Sequence, residues 1–203
     1  MAKLSLSKSA LLRESRQLKS YRRFLPSLDL KRRQLIAERA RARDALAELR
    51  DRQARLREQV MQQLPMLANH EVDLPDMVRI ERVDIREENV LGTLLPVLDS
   101  LMMKTRPYSL LARPHWVDAT VDRLERMLRL RVEERIAEIR LERLEAAVQK
   151  ITQRVNLFEK VLIPRTQERI RHIRIHLADS ERAAVVRAKI AKSRRVRAME
   201  EQP

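Results

Sequence analysis

Leucines recur at seven-residue intervals through the first third of the chain. Leu4, Leu11, Leu18 and Leu25 form one series; after a shift of three come Leu28, Leu35, Ala42, Leu49 and Leu56. Leu46 and Val60 fill the alternate positions of the later heptads. A sustained seven-residue apolar spacing puts a narrow stripe on a helix that supercoils around a partner. The shift of three predicts a stammer, a locally overwound stretch, and Pro26 sits at it. Proline lacks a backbone N–H, and its ring crowds the carbonyl four residues back. One helix kinked at Pro26 is therefore predicted over residues 4–64, in preference to a break.

The heptads stop at residue 65. Pro65, Pro75, Pro96, Pro107 and Pro114 fall between there and residue 114, together with the single glycine, Gly92. Val78 and Ile80, then Val83 and Ile85, alternate with charged residues, and the polar pair Glu81-Arg82 between them predicts a bulge. Glu87, Glu88 and Asn89 supply a turn and residues 90–98 a second apolar run, which predicts a β-hairpin. A short helix is expected over residues 97–104.

From residue 115 a second helical stripe begins with Val121, Leu124 and Leu128. It continues with Leu144, Val148, Ile151, Val155, Phe158 and Leu162 in steps of four and three, then Ile170, Ile173, Leu177 and Ala184. Pro164 interrupts it, again as a kink, because the stripe resumes beyond. The expected organisation is an N-terminal coiled-coil helix over 1–64, a central insert with hairpin and short helix over 65–114, and a C-terminal coiled-coil helix over 115–203. At 1.5 Å per residue the two helices measure about 90 Å and about 125 Å. Neither narrow stripe is stable alone in water. The expected fold is mainly α: two long kinked antiparallel helices forming a coiled-coil rod, with one end of the longer helix protruding.

Composition supports this reading. One glycine in 203 residues leaves few tight turns, aromatics are 2% of the chain, and charged residues are 36%, a profile of long helices and not of sheets. Cysteine is absent, which excludes a disulfide scaffold and a thiolate metal site. The N-terminus has no continuous apolar run, so no secretory signal is expected. Residues 90–98, the longest largely apolar stretch, fall far short of the ~20 residues that span a bilayer. The formal net charge of +15 points to nucleic acid, an acidic membrane surface or an acidic protein surface.

No catalytic constellation stands out. One glycine cannot build a phosphate loop, and no cofactor is implied. His172 and His176 lie four apart on a helix and could share a metal, but a lone pair is a weak motif and polar-face residues are the simpler reading; no metal site is expected. Carboxylates interleave with arginines, as in Arg131-Val132-Glu133-Glu134-Arg135, a spacing that stabilises solvated helix faces. Arg13, Arg16 and Lys19, with Arg22 and Arg23, crowd the N-terminal end. Arg187, Lys189, Lys192, Arg194, Arg195 and Arg197 crowd the C-terminal end. Antiparallel pairing is expected to bring both clusters to one tip. Such a tip could bind phosphates, yet stacking aromatics are nearly absent. It could equally sit in a protein sleeve.

Several segments resemble one family. The run Gln153-Arg154-Val155-Asn156-Leu157-Phe158-Glu159-Lys160-Val161-Leu162-Ile163-Pro164 is similar to an arginine-valine-asparagine-x-x-glutamate motif ending in isoleucine-proline. It is found in the D subunit of V-type and A-type rotary ATPases. Glu168 to Ile173 also fits. Glu88-Asn89-Val90-Leu91-Gly92-Thr93-Leu94-Leu95-Pro96 resembles the central asparagine-to-proline segment of that family, with Asn89, Gly92 and Pro96 as its marks. Leu30-Lys31-Arg32-Arg33-Gln34-Leu35 resembles its first-helix pattern. Pro26 and the short tail after Met199 depart from it.

The resemblance implies a non-catalytic central rotor, one copy per complex. Such a rotor transmits torque between a catalytic hexamer and ion translocation by a membrane ring. The implied partners are the catalytic and regulatory ring subunits, a small central-stalk subunit and a funnel-shaped adaptor on the membrane rotor ring. The implied place is the cytoplasmic face of a membrane, peripheral, with no nucleic acid bound. In that setting the two basic clusters contact the ring. The alternative from the residues alone is a basic coiled coil that binds nucleic acid or associates with itself.

Overall fold

A computed structural model describes residues 5–64, 77–107 and 116–200, with side chains to residue 195. The element order is α1 (Lys8–Gln63), β1 (Val78–Val90), β2 (Thr93–Thr105), α2 (Trp116–Asn156), a π-helical turn (Leu157–Leu162) and α3 (Ile163–Glu200). The fold is mainly α, with one central two-stranded antiparallel hairpin. Two compact units divide the chain. One holds residues 1–30 and 151–203, the other residues 31–150.

Ser7 starts α1. Its hydroxyl accepts from the Ala10 N–H at 3.2 Å and its carbonyl from the Leu11 N–H at 3.0 Å, which satisfies donors that a helix start leaves open. The helix then runs through Pro26 without interruption. Burial in α1 shows no stammer. Positions 14, 18, 21, 25, 28, 32, 35, 39, 42, 46, 49, 53, 56 and 60 are all buried or half-buried, in unbroken steps of four and three. The apparent shift at Pro26 arises because the leucines change seam: Leu18 and Leu25 lie on one of its two rows, Leu28 and Leu35 on the other. Pro26 is exposed, on the face away from the seam.

The phase break lies instead at the second proline. The buried row Leu144, Val148, Ile151 and Val155, extended by half-buried Phe158 and Leu162, keeps heptad spacing. The next buried positions are Thr166, Ile170 and Ile173, each one residue later than the heptads require. The π turn fills this gap. Its wider ring, with the Ile163 N–H reaching back five residues to the Phe158 carbonyl, accommodates one extra residue without rotating the seam. Pro164 follows at once, where its missing N–H has the least to break. Thr166 Oγ1 donates to the Leu162 carbonyl at 2.7 Å.

In the unit of residues 31–150, α1 and α2 pair antiparallel: Gln63 meets Arg123, Gln53 meets Leu130 and Glu134, and Arg50 meets Glu134 and Glu138. α2 carries two apolar faces here, not one. Val121 does not start the α1-facing seam, and Leu128 lies between the two faces, lining a groove with Ala54 and Met61 of α1 as well. Val121 packs with Val117, Met77, Val78 and Trp116. Leu128 joins Val132, Ile136 and Ile139 beneath Ile80, Val83 and Ile85 of β1.

The hairpin differs from expectation at its turn and in its second arm. β1 continues through Glu87, Glu88 and Asn89, and the two-residue turn is Leu91-Gly92. Both turn residues have positive φ, 52° and 78°, as in a type I′ turn that matches the twist of the strands. The polar run stays extended because Glu87 meets Arg143 and Glu88 meets Arg140 of α2. Residues 97–104 belong to β2 and are not helical; pairing with β1 overrides the local pattern. The bulge at Glu81-Arg82 is present as a register shift between Ile80 and Arg82. A second shift lies between Asp84 and Ile85.

Candidate partner-binding surfaces

The hairpin tip is held from several sides. Asn89 Oδ1 accepts from the Gly92 N–H at 2.8 Å, closing the turn. Arg143 of α2 donates to the Leu94 carbonyl at 2.9 Å and to Glu87 at 3.0 Å. Leu95 and Pro96 are buried. A Cβ added at Gly92 would lie 3.3 Å from Lys31 Nζ of α1. Thus Asn89, Gly92 and Pro96 build and anchor the tip, while Ile80, Ile85, Leu94 and Met102 leave apolar surface exposed. Asp84 accepts from Ser100 Oγ and from Arg82 Nε, each at 2.7 Å. The serine hydrogen bond first, and Arg82 second, hold its carboxyl below the usual range.

Among the described residues of this unit, Glu134 is the most enclosed charge, 7% exposed. Arg50 Nε donates to it at 3.0 Å, Gln53 Nε2 at 2.9 Å and Arg131 at 2.9 Å. The Arg50 bond leads in lowering its pKa, with Gln53 next, against an opposing desolvation. The same pair raises that of Arg50. This network was not legible as a site, because Arg131-Val132-Glu133-Glu134-Arg135 reads locally as solvated helix surface.

In the unit of residues 1–30 and 151–203, α1 and α3 also run antiparallel. Lys8 pairs with Glu181 at 3.2 Å and Glu14 with Arg169 at 3.8 Å. Tyr21 meets Phe158 of the π turn edge-on, centroids 5.4 Å apart. Within the motif around this turn, Val155 is buried, Asn156 and Ile163 are half-buried, and Arg154, Glu159 and Pro164 are exposed. The motif therefore combines seam residues with an outward polar face.

Arg13, Arg16 and Lys19 are exposed on α1, and Arg187, Lys189, Lys192, Arg194 and Arg195 are exposed on α3. The side chain of Arg197 lies outside the described residues. The two clusters are not abreast. Lys8, the first residue of α1, is already level with Glu181, so residues 187–195 continue past the start of α1. What faces Lys19 and Arg22 is Arg171 and Arg174, across a groove floored by Leu18, Ile170 and Ile175. Sequence density pointed to the chain ends; the cations that meet across the helix pair lie about 150 residues apart in sequence and carry no local signal.

His172 and His176 are exposed. Among the described residues no three metal-ligating side chains converge, and no helix is long and apolar enough to cross a membrane.

Comparison with known proteins places these features together. The family model for the D subunit of ATP synthase matches residues 10–193. A V-type ATP synthase D subunit of Borreliella burgdorferi is 32% identical over 193 residues, 95% of each chain. One of Chlamydia muridarum is 30% identical over 195 residues, 95% of this chain and 96% of the relative. One of Chlamydia trachomatis serovar L2 is 29% identical over 195 residues, 95% of this chain and 96% of the relative. Because the match takes in both long helices and the hairpin between them, this chain belongs to the ATP synthase D-subunit family.

Proposed function

We propose that the chain is the non-catalytic central rotor of a V-type rotary ATPase, passing torque between nucleotide chemistry in a surrounding hexamer and ion movement by a membrane ring. The observation that carries this is the family match over residues 10–193, which spans α1, the hairpin and most of α3 in one order. Subunits that share so much of their length share a place in the complex. A rotor also needs seams that resist sliding and an outer surface that does not stick. The described residues supply heptad seams interrupted by one skip, and outward faces rich in solvated charge.

In this reading Arg13, Arg16 and Lys19 on α1, and Arg187, Lys189, Lys192, Arg194, Arg195 and Arg197 on α3, turn against the catalytic and regulatory ring subunits. The Arg154–Pro164 motif forms the adjoining part of the shaft. The hairpin, with Asn89, Gly92 and Pro96 at its tip, serves the small central-stalk subunit. A funnel-shaped adaptor links the rotor to the membrane ring on the cytoplasmic side. Nucleotide sites belong to the ring, and nucleic acid is not a partner.

Co-expression of the tagged chain with its genomic neighbours, followed by a high-salt wash, tests the proposal. Recovery of two large nucleotide-binding subunits and a small stalk subunit with a single copy of this chain supports it. Recovery of nucleic acid alone, or of a homodimer alone, refutes it, as does ATP turnover by the isolated chain.

A further inference from the structure

We infer that the groove between α1 and α3 at Lys19, Arg22, Arg171 and Arg174 docks an acidic, amphipathic protein segment. The groove is open to solvent and encloses about 760 Å³. Its rim carries those four cations and no carboxylate, and its floor is aliphatic: Leu18, Ile170 and Ile175. Ile175 is 52% exposed.

The rim gathers four cations from two helices on one groove. In the unit of residues 31–150, several arginines are answered within the chain, Arg50 by Glu134 and Glu138, Arg126 by Asp122, Arg135 by Glu138 and Arg143 by Glu87, while others among the described residues, such as Arg43 and Arg57, stand singly on an exposed face. Among the described residues, Lys19, Arg22, Arg171 and Arg174 make no ion pair and no hydrogen bond. Of the nearby carboxylates, Glu14 is paired with Arg169 and Glu181 with Lys8; Glu168, one turn before Arg171, lines the adjoining groove with Arg165, Arg169 and His172 and forms no ion pair with the rim. Four cations facing one another across an apolar floor repel, and an arriving anion relieves that repulsion.

The floor selects the kind of anion. A phosphodiester chain brings charge but nothing to cover the aliphatic floor, of which Ile175 is the exposed part and Leu18 the half-buried part, and no aromatic lines the groove on which a base would stack. A helix or strand with aliphatic residues on one face and carboxylates flanking them satisfies both features. Arg171 and Arg174 lie three apart and Lys19 and Arg22 three apart, so each row presents its cations about one turn apart. Carboxylates at helical spacing match that arrangement. The owner of the segment, a ring subunit, rests on the rotor reading above; the chemistry of the groove does not.

Two measurements test this on the full chain. In the first, fluorescence anisotropy compares three probes: a short synthetic amphipathic Glu/Leu peptide, the same peptide with Gln for Glu, and a duplex DNA fragment. The acidic peptide is expected to bind, with affinity falling as salt rises. The variant K19Q/R22Q/R171Q/R174Q is expected to weaken it roughly tenfold to several hundredfold at about 0.1 M salt. The variant R41Q/R43Q/R52Q/R55Q, which removes equal charge elsewhere, is expected to leave it unchanged. Equal binding by the Gln peptide, equal weakening by both variants, or dependence of DNA binding alone on the four cations overturns the inference.

In the second, a benzophenone side chain at position 18 is photolysed in the co-expressed complex. The expected adduct is a ring-subunit peptide carrying carboxylates and an aliphatic residue within one helical turn. An adduct lacking carboxylates, or none in an assembled complex, overturns it. Failure of the complex to assemble counts against the rotor reading, and the peptide measurement then decides on the groove alone.

Discussion

The π turn at Leu157–Leu162 has two candidate causes, and they predict opposite effects of changing Pro164. If the proline alone enforces it, Pro164→Ala lets the segment relax to a regular α-helix. If the turn absorbs the extra residue in the seam, it persists. An α-helix turns about 100° per residue, so relaxation would swing Thr166, Ile170 and Ile173 out of the seam. Ile170 and Ile173 are buried, the latter at 0% exposure. Exposing two such side chains costs roughly 3–6 kcal/mol, more than the ~3 kcal/mol that replacing a helix-interior proline can return. The π turn is therefore expected to survive in Pro164→Ala, with stability unchanged or lowered by up to about 1 kcal/mol. The stronger test combines Pro164→Ala with deletion of Glu159, which removes the surplus residue and restores unbroken heptads. That variant is expected to stay within about 1 kcal/mol of the parent. Deletion of exposed Glu145 misplaces Val148, Ile151 and Val155 and is expected to cost roughly 4–9 kcal/mol, most of a domain's stability. Urea unfolding followed by circular dichroism reads all three. A combined variant as damaged as the Glu145 deletion would refute the seam-phase explanation.

Leu144, 1% exposed, is expected to lose about 2–5 kcal/mol on replacement by alanine, read as a lowered urea midpoint with the slope unchanged. Glu134 has a folded pKa held below its unfolded value of about 4.3. Its stabilisation is therefore fully present above that pH and lost as pH falls through the folded value. Glu134→Gln is expected to flatten this part of the acid limb, and a midpoint series from about pH 7 to about pH 3 that matches the parent's slope would contradict it. Leu91 sits at φ 52°, an unusual place for an apolar side chain, so Leu91→Asn is expected to stabilise by about 0.5–1 kcal/mol. Gly92→Ala is expected to destabilise by about 1 kcal/mol or more, chiefly through its φ of 78°, because the nearby Lys31 Nζ can move aside. Thermal unfolding of both turn variants checks the opposite signs.

How far the sequence could be read depends on the range of the interaction. Heptads made α1 and the α2–α3 seam legible because their stripe is a local property of the helix. The hairpin was legible as alternation around a bulge, but its turn was misplaced. Glu87 and Glu88 look like loop residues until Arg143 and Arg140 are brought against them from more than 50 positions away. The short helix expected at residues 97–104 failed for a related reason: apolar density fixes burial, while strand pairing fixes conformation. The start of the second stripe failed differently. Val121, Leu124 and Leu128 do form a stripe, but α2 has two partners, and nothing local says which stripe faces which. The apparent stammer at Pro26 came from following leucines alone, when Glu14, Tyr21 and Arg32 also belong to the seam.

Those polar and aromatic seam residues bear directly on the groove. An apolar heptad stripe tolerates a slip of seven residues, since leucine would again meet leucine. A slip of that size would carry Lys19 and Arg22 two turns away from Arg171 and Arg174. Glu14, 5% exposed, has among the described residues one ion-pair partner, Arg169 at 3.8 Å, and no hydrogen bond to Oε2; a slip would remove that countercharge and leave the carboxylate buried and unpaired, a costly arrangement. The Tyr21–Phe158 ring contact disappears in the same slip. Buried polar groups in coiled seams are best attested as register devices, and here the register they select is the one that sets four unanswered cations face to face. The stripe alone makes the helices pair; the departures from the stripe decide which charges meet across it.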